Sequence, residues 1–218
     1  PHHAPPERLA QAHSMIALLD YGAGNLRSVE KALRFVGGDV RLVQSPDGMK
    51  DASAVVLPGV GAFDDCVNAM QRQELIEASR EFIKTGRPFL GICVGYQAMF
   101  ERSEEFDSRA AGLGLFAGSV VRFPAGQGVK IPQIGWNQIE IVQPECPIFK
   151  GVENGSHVYF VHSFYPQPED GSIVACRTTY GVEFASAIWR ENVYATQFHP
   201  EKSQKVGLTI LQNFVDLA

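Results

Sequence analysis

The chain has 218 residues, of which 45% are hydrophobic, and a formal net charge of −5. This length and composition are enough for one domain with a sizeable core, and we expect residues 15–218 to form it. No cluster of lysine and arginine provides a basic stripe, so nucleic acid is not an expected partner. No apolar run approaches the roughly 18 residues of a membrane span, and no signal peptide is recognisable, so no membrane association is expected.

The cysteines indicate a reducing environment. Their spacing is wide and irregular, and no Cys-x-x-Cys pair is present, so neither a zinc site nor a disulfide framework is indicated. We therefore expect free thiols and a cytoplasmic location, and we expect no metal and no cofactor. The four positions are Cys66, Cys93, Cys146 and Cys176.

Residues 1–14 differ in composition from the rest of the chain. They are rich in histidine, proline and alanine, and the first apolar strand pattern begins only at Met15. We expect a tag or a disordered leader here, outside the folded domain. Metal binding by His2, His3 and His13 would then be adventitious.

The first half of the chain alternates strand patterns with helix patterns. Continuous apolar runs predict buried strands, and apolar residues at helical spacing predict helices between them. This alternation predicts a parallel sheet. The predicted strands are 15–19, 40–43, 54–57 and 89–92, and the predicted helices are 26–36, ended by two glycines, and about 62–85.

Two glycines after the first strand suggest one alternative function. Gly22-Ala23-Gly24 is similar to the start of a dinucleotide-binding loop, but Arg27 stands where a third glycine is required. No Walker lysine follows any glycine loop either. A nucleotide-binding module is therefore disfavoured, and a shift in melting temperature with NAD or ATP would revive it.

The strand at 54–57 ends in the glycine-rich loop Pro58-Gly59-Val60-Gly61. Glycines on both sides of Val60 let a peptide turn its N–H toward a ligand at little steric cost. A Pro-Gly-x-Gly loop by itself is usually a turn. Beside a nucleophile, the Val60 or Gly61 N–H becomes a candidate oxyanion donor, and such a donor contributes ~10²–10³ to the rate.

Cys93 lies between Gly91 and Gly95, where an apolar strand pattern becomes a helical one. This is the layout of a nucleophile elbow, whose strained turn requires small residues two positions before and after the nucleophile. A helix N-terminus would stabilise a thiolate, and the Val94 N–H is the natural second oxyanion donor. The alternative is a small buried core cysteine, and the flanking glycines favour the nucleophile.

A late His-Pro-Glu triplet supplies a candidate base and its orienting acid. Pro200 biases His199 toward an extended conformation, in which side chains two residues apart point to the same side. Glu201 can then reach the His199 ring, hold one ring N–H and leave the other nitrogen for a thiol. Taken singly, each residue has an ordinary structural explanation; with Cys93 they form a Cys-His-Glu set.

The second half predicts shorter, partly antiparallel strands and a final helix. Ser203 is a candidate cap for that helix, and the apolar positions Val206, Ile210, Leu211 and Phe214 share one face of it. The predicted strands are 120–123, 137–142, 158–164, 173–176, 185–189 and 193–198.

These motifs, in this order, resemble the class I (triad-type) glutamine amidotransferases, in which Gly-x-Cys-x-Gly and a late His-Pro-Glu mark the glutaminase. The resemblance runs from Met15 to the end of the chain. It implies a three-layer α/β/α, flavodoxin-like fold with a mostly parallel central sheet and a smaller antiparallel β excursion in the second half. Four stretches more narrowly resemble the glutaminase subunits of imidazole glycerol phosphate synthases: 20–25, 58–63, 135–137 and 198–203.

The narrower resemblance implies a reaction and a partner. L-glutamine would be hydrolysed to glutamate and ammonia through a thioester on Cys93, and a (β/α)₈-barrel cyclase, bound as a heterodimer, would use the ammonia in histidine biosynthesis. The glycines beside Val60 suggest that its peptide turns into place only when the partner binds its nucleotide. The resemblance assigns glutamine binding to Gln97, Glu105, Ser163 and Phe164. The candidate partner face comprises Trp136, Asn137, Tyr159 and Lys202.

The sequence departs from the family pattern at Tyr96 and at Gln133-Ile134, and we expect these positions to affect only the partner surface and details of specificity. Two alternatives stay open. Another class I amidotransferase, serving anthranilate, carbamoyl phosphate, GMP or pyridoxal phosphate synthesis, is disfavoured by the segment 135–137 and by Lys202-Ser203. The second is a cysteine hydrolase on the same scaffold, such as a γ-glutamyl hydrolase; ammonia release that depends on a cyclase, with no activity on γ-glutamyl peptides, would exclude it.

Overall fold

The computed structural model describes residues 14–22, 24 and 26–218. The expected leader and its histidines lie outside the described residues, except for exposed Ser14. Ala23 and Asn25, from the glycine turn after the first strand, also lie outside them. Within the described residues the α-helices are α1 (Leu26–Phe35), α2 (Phe63–Arg72), α3 (Leu75–Lys84), α4 (Val94–Gln97) and α5 (Gln204–Leu217).

Most strands predicted in the first half have the expected bounds. The strands are β1 (Met15–Leu19), β2 (Asp39–Val43), β3 (Ala54–Leu57), β4 (Phe89–Ile92), β5 (Arg102–Ser103), β6 (Gly118–Arg122), β7 (Gln133–Gln138), β8 (Glu140–Ile141), β9 (His157–His162), β10 (Phe164–Pro168), β11 (Val174–Tyr180), β12 (Val182–Arg190) and β13 (Val193–Thr196).

An eight-stranded sheet forms the centre of the molecule, in the order β2-β1-β3-β4-β13-β12-β11-β8. The five strands from β2 to β13 are parallel, and the other three continue the sheet in antiparallel fashion. Every residue of β1, β3, β4 and β13 is buried, as strands covered on both faces must be. Helix α1 packs with α5, whereas α2 packs with α3 and α4. The predicted α/β class with a mostly parallel central sheet is confirmed.

Two small sheets form the β excursion of the second half. One has the order β10-β6-β5, and the other is the antiparallel pair of β7 and β9. The single strand predicted at 158–164 was wrong. The strand is interrupted at Ser163, and its two parts, β9 and β10, belong to different sheets. The strand predicted at 137–142 is likewise divided between β7 and β8. Local apolar patterns cannot show such a change of partner, since each half keeps a strand-like pattern of its own.

Helix α1 ends one residue before its predicted end at 36, and a second difference is larger. The helical stretch predicted at 62–85 is two helices, separated at Glu74, whose φ is 60°. A left-handed residue ends a right-handed helix, and a glutamate gives no sequence signal for this. Helix α5 buries Ile210, Leu211 and Phe214 as predicted, while Val206 is only partly buried.

Several expected absences can be examined only within the described residues. There, no helix combines the length and the apolar character that a bilayer span requires. The same residues contain no group of three or more His, Cys, Asp or Glu side chains placed to hold a metal ion. All four cysteines are free and buried.

Candidate active site

The candidate site lies where neighbouring parallel strands end. Cys93 follows β4, and Gln197 to His199 follow β13, which is the next strand in the sheet. The Cys93 N–H donates to the carbonyl oxygen of Thr196 at 2.8 Å, which ties the two strand ends together. The carboxyl ends of parallel strands share one edge of a sheet, and ligands of open α/β sheets bind there. Residues about a hundred positions apart therefore meet.

Cys93 has the backbone strain expected of a nucleophile elbow. Its φ of 55° and ψ of −111° lie outside the regions that L-residues normally occupy. A Cβ on Gly91 would lie 2.6 Å from the Met99 side chain, and one on Gly95 would lie 2.0 Å from the carbonyl oxygen of Leu57. Helix α4 has only four residues, so its dipole is weaker than that of a long helix.

Replacing Gly95 with alanine should destabilise the fold severely. The new methyl would overlap a backbone oxygen of β3, which cannot move without disturbing the central sheet. We expect a loss of more than about 3 kcal/mol, measured by chemical denaturation. The matched control is Gly171→Ala, because nothing lies within 4 Å of its Cβ position. Equal stability of the two variants would contradict the strained, tightly packed elbow.

His199 and Glu201 form a buried hydrogen-bonded pair. His199 Nδ1 lies 2.7 Å from Glu201 Oε1, and each side chain is 2% exposed. His199 is extended, with φ −98° and ψ 100°, as Pro200 predicts. The contact does not arise from a continuous extended segment, however, because Pro200–Lys202 is a 3₁₀ turn that brings the carboxylate back under the ring.

Ser203 holds this turn in place. It was predicted as the side-chain cap of α5, but it makes no such hydrogen bond. Its hydroxyl donates to the His199 carbonyl oxygen at 2.6 Å and accepts the Tyr159 N–H at 3.0 Å. Gly207 of α5 packs so closely that a Cβ there would lie 1.8 Å from the Pro200 oxygen. His199 is thus fixed between β9 and α5.

The charges around His199 favour its protonated form. Burial alone would lower the pKa of His199, but the nearby Cys93 sulfur and the Glu201 carboxylate outweigh burial and raise the pKa to about 10. Nε2 has no hydrogen bond of acceptable geometry among the described residues, and neither does Glu201 Oε2. The ring is therefore held as an imidazolium, the form that can give a proton to a leaving group.

One cavity of about 290 Å³, near the lower end of the roughly 300–1,000 Å³ typical of small-molecule sites, joins most of the predicted site residues. Glu201 is not among its lining residues, but it is hydrogen-bonded to His199, which is. The predicted residues that line it are Val60, Gly61, Cys93, Val94, Gln97, Glu105, Ser163, Phe164, His199 and Lys202. Trp136, Asn137 and Tyr159 are not among its lining residues.

Of the nearby acids Glu101, Glu104 and Glu105, only Glu105 lines the cavity. Its Oε1 accepts the Phe63 N–H at 3.4 Å. Burial raises the pKa of the Glu105 carboxyl, the Phe63 N–H opposes this, and Asp64 and Asp65 raise it further. Glu101 instead accepts the Gly118 N–H, and Glu104 is exposed. The position of Glu105 fits the predicted contact with a substrate ammonium group.

The oxyanion donors are not assembled in this conformation. The Val94 N–H points to the carbonyl oxygen of Gly59 at 3.4 Å. Tyr21 also contacts this loop, since its hydroxyl donates to the Pro58 oxygen at 2.6 Å. A Cβ on Gly59 would lie 2.7 Å from that hydroxyl, so this position requires glycine. The assignment of Val94, Val60 and Gly61 as donors stays a prediction.

Two of the three residues that depart from the family pattern lie in the interior. Tyr96 is fully buried, and its hydroxyl donates to the Ala185 oxygen at 3.1 Å. Gln133 is 2% exposed, and its side chain lies 2.8 Å from Nε2 of His162. Tyr96 and Gln133 are therefore not placed for direct contact with a partner, and their expected effect on specificity stays a prediction. Ile134, at 64% exposure, does lie on the surface.

Sequence reasoning missed two buried polar residues of the site. His162 lines the cavity, and its Nδ1 lies 2.8 Å from the Phe164 oxygen. Burial lowers the pKa of His162 to about 4, so its ring is neutral. Gln197 is fully buried and donates to Cys93 Sγ at 3.7 Å. The available signal for Gln197 was a polar residue just after a buried strand and two positions before His199.

Two of the four candidate partner-face residues, exposed Trp136 and partly buried Tyr159, form an aromatic pair. The rings of Trp136 and Tyr159 meet edge to face with centroids 6.0 Å apart, and Trp136 is 46% exposed. Asn137 uses its side chain within the fold, donating to the Thr179 oxygen at 2.9 Å. Lys202 is partly buried beside the cavity.

Comparison with known proteins identifies relatives along nearly the whole chain. The subunit HisH of imidazole glycerol phosphate synthase from Syntrophotalea carbinolica is 50% identical over 208 residues, which is 93% of this chain and 100% of the relative. The protein of the same name from Geobacter sulfurreducens is 48% identical over 207 residues, covering 93% of this chain and 98% of the relative.

Solved structures share the fold at low sequence identity. A structure of PurLQS from Thermotoga maritima superposes with a TM-score of 0.74 at 17% identity, covering 94% of this chain and 98% of that one. A crystal structure of a glutamine amidotransferase gives a TM-score of 0.72 at 18% identity, covering 93% of this chain and 97% of the other. These neighbours support the fold alone.

The family profile includes both halves of the site. The profile of glutamine amidotransferase class-I matches residues 17–217 and so spans both the elbow at Cys93 and the turn at His199. Together with relatives that are about half identical, this match shows that the chain belongs to the class I glutamine amidotransferase family.

Proposed function

We propose that this chain is the glutaminase subunit of an imidazole glycerol phosphate synthase, which hydrolyses L-glutamine and delivers ammonia to a cyclase subunit for histidine biosynthesis. The observation that carries the proposal is the convergence of Cys93 and His199 on one cavity, with Glu201 behind the ring. The names of the relatives from Syntrophotalea carbinolica and Geobacter sulfurreducens support the specific pathway.

The residues divide the hydrolysis between a nucleophile, a base and an orienting acid. Cys93 Sγ attacks the side-chain carboxamide carbon of glutamine, and the C–N bond breaks as His199 gives its proton to the departing ammonia. Water, deprotonated by His199, then attacks the thioester and releases glutamate and the free thiolate. Glu201 holds Nδ1 of the ring in both steps, so Nε2 stays directed to the reacting atoms.

The oxyanion donors require one peptide to rotate. Because the C=O and N–H of a peptide point in opposite directions, turning the Gly59–Val60 peptide would withdraw the Gly59 oxygen from the Val94 N–H and bring the Val60 N–H into the cavity. Both donors would become available in one movement. Binding of nucleotide by the partner is the proposed trigger, and it would limit glutamine hydrolysis to moments when the ammonia can be used.

Glutamine is oriented by groups on the far side of the cavity. Glu105 supplies a carboxylate for the α-ammonium group, and the Ser163 and Phe164 backbone holds the opposite end of the substrate. Gln97 completes this set. The ammonia leaves toward a (β/α)₈-barrel partner, for which the exposed Trp136 side chain and neighbouring Asn137, Tyr159 and Lys202 form the docking face.

Two further assignments complete the proposal. Residues 15–218 act as a single catalytic domain, which is supported by one continuous hydrophobic core and by a family match over residues 17–217. The enzyme works in the cytoplasm, where four free buried thiols remain reduced.

Reconstitution with a candidate cyclase tests the function. Glutamate release from L-glutamine should be slow for the isolated chain and should rise by about 10²–10³ when the cyclase and its nucleotide are present, the value of a restored oxyanion donor. Synthesis of imidazole glycerol phosphate should then depend on glutamine. Equal hydrolysis without the cyclase would contradict the gating. Hydrolysis of γ-glutamyl peptides by the isolated chain would favour a cysteine hydrolase instead.

A further inference from the structure

Two buried glutamine side chains connect the candidate nucleophile to the substrate-binding backbone. Gln197 Nε2 donates to Cys93 Sγ at 3.7 Å. Gln97 Nε2 donates to Gln197 Oε1 at 3.3 Å and to the Phe164 carbonyl oxygen at 3.0 Å. Gln197 is completely buried, and Gln97 is 3% exposed. The sulfur is therefore joined to Phe164 by an unbroken series of hydrogen bonds.

The direction of every hydrogen bond in this series is fixed from its far end. A backbone carbonyl can only accept, so the Phe164 oxygen requires the NH₂ group of Gln97 to face it. The second N–H of that group then points to Gln197, whose amide must turn its oxygen toward Gln97. The NH₂ group of Gln197 then faces the Cys93 sulfur. Turning the Gln97 amide over would face its oxygen to the Phe164 oxygen, and turning the Gln197 amide over would face its NH₂ group to that of Gln97.

We propose that Gln97 and Gln197 form an amide relay that holds an N–H group on the reacting sulfur and thereby favours its thiolate. The proposal rests on the assignment of Cys93 as the nucleophile of a glutaminase. Gln197 acts on the sulfur itself, whereas Gln97 is a positioning residue that acts through Gln197. Hydrogen bonds to charged groups are about twice as strong as those between neutral groups, so the relay stabilises the thiolate more than the thiol.

The relay also limits what Gln97 can do for the substrate. Both of its N–H groups are used within the protein, so only its side-chain oxygen remains to face glutamine. Gln97 can accept a hydrogen bond from an N–H group of the substrate, but it cannot donate one to the substrate carboxylate. This refines its assignment as a glutamine-binding residue, because the carboxylate must find its donors elsewhere in the cavity.

The test is the pH dependence of Cys93 alkylation by iodoacetamide in the full-length chain, with Cys93→Ala as the background for the other thiols. Gln197→Leu removes the donor, and Gln197→Glu replaces it with an acceptor of the same shape. We expect the alkylation midpoint to rise by about one pH unit in the first variant and further in the second, because one charge-assisted hydrogen bond is lost. Glutamine-dependent turnover in the complex should fall about tenfold near neutral pH and recover as the pH is raised.

A purely structural role would not move the alkylation midpoint. The matched control is Thr196→Val, which removes a buried hydroxyl that donates to the Phe198 oxygen at 2.9 Å on the same segment without touching the sulfur. Its midpoint should equal that of the wild type. If the Gln197 variants do not fold, Gln97→Met provides a second test. It removes the hydrogen bond that orients the Gln197 amide, so it should also raise the alkylation midpoint of Cys93.

The outcomes separate this proposal from the proposed function. An unchanged midpoint in folded Gln197 or Gln97 variants, with Cys93 still essential for glutamine hydrolysis, overturns the relay alone. Full glutamine hydrolysis by Cys93→Ala overturns the assignment of the nucleophile, and the relay falls with it. A raised midpoint with ammonia-dependent synthesis unchanged supports the relay.

Discussion

Replacing Cys93 with alanine should abolish glutamine-dependent synthesis in the complex while leaving ammonia-dependent synthesis intact. Without the sulfur no thioester forms, and removal of a catalytic nucleophile costs at least about 10⁴-fold in turnover. Added ammonia bypasses the glutaminase, because the cyclase receives the same reactant from solution. The measurement is the rate of product formation with saturating glutamine and, separately, with an ammonium salt.

The Cys93 substitution has a matched control in the same chain. Cys146 is also free and buried, but it does not line the cavity, so Cys146→Ala should keep both activities. Alanine has the same backbone preferences as cysteine, so the strained conformation at position 93 is not relieved by the change. Loss of both activities in Cys93→Ala would indicate misfolding or failed docking, and retention of both would remove Cys93 from the mechanism.

Changing Glu201 to glutamine should reduce glutamine-dependent turnover by about 10²–10⁴, as loss of an orienting carboxylate does in other triads. Glu201 is one of two partners that raise the pKa of His199 to about 10. Removing its charge lowers the pKa of the ring, so the imidazolium is lost at lower pH. The upper limb of the profile of kcat/KM against pH should therefore move to lower pH, while the ammonia-dependent rate does not change.

The free energy of unfolding should also depend on pH through the raised pKa of His199. A histidine whose folded pKa is raised stabilises the fold fully below its unfolded value of ~6.5, and that contribution disappears as the pH rises toward about 10. The wild type should therefore lose more stability over this range than Glu201→Gln does. Glu104→Gln, which neutralises an exposed acid, is the control. If the upper limb of the kcat/KM profile stayed at the same pH in Glu201→Gln, the coupling of Glu201 to the His199 ring would be contradicted.

The sequence predicted the parts of the site that depend on local chain geometry. The glycines at 91 and 95 predict an elbow, because only a residue without a side chain fits so close to neighbouring backbone. The loop at Gly59 and the His-Pro-Glu triplet were recognised on similar grounds. In each case a nearby backbone constraint selects an unusual residue, and that residue is visible in the sequence.

Other features were missed because their cause lies in distant parts of the chain. The break at Ser163 arises because β9 and β10 pair with different strands, and the left-handed Glu74 has no residue signature. Ser203 has the chemistry of a helix cap, yet its hydroxyl is used by β9 and His199. The partners of Gln97 and Gln197 likewise become apparent only after the chain has folded.

By itself, the sequence determined the α/β order, the elbow at Cys93 and the pairing of His199 with Glu201, since these follow from apolar periodicity and from residues within two positions of one another. Only the tertiary structure decided that β4 and β13 are neighbours, that Glu105 rather than Glu101 or Glu104 faces the cavity, and that Gln197 reaches the sulfur. The physical reason is that contacts across a sheet depend on strand order and packing, and these minimise the free energy of the whole chain rather than of any segment.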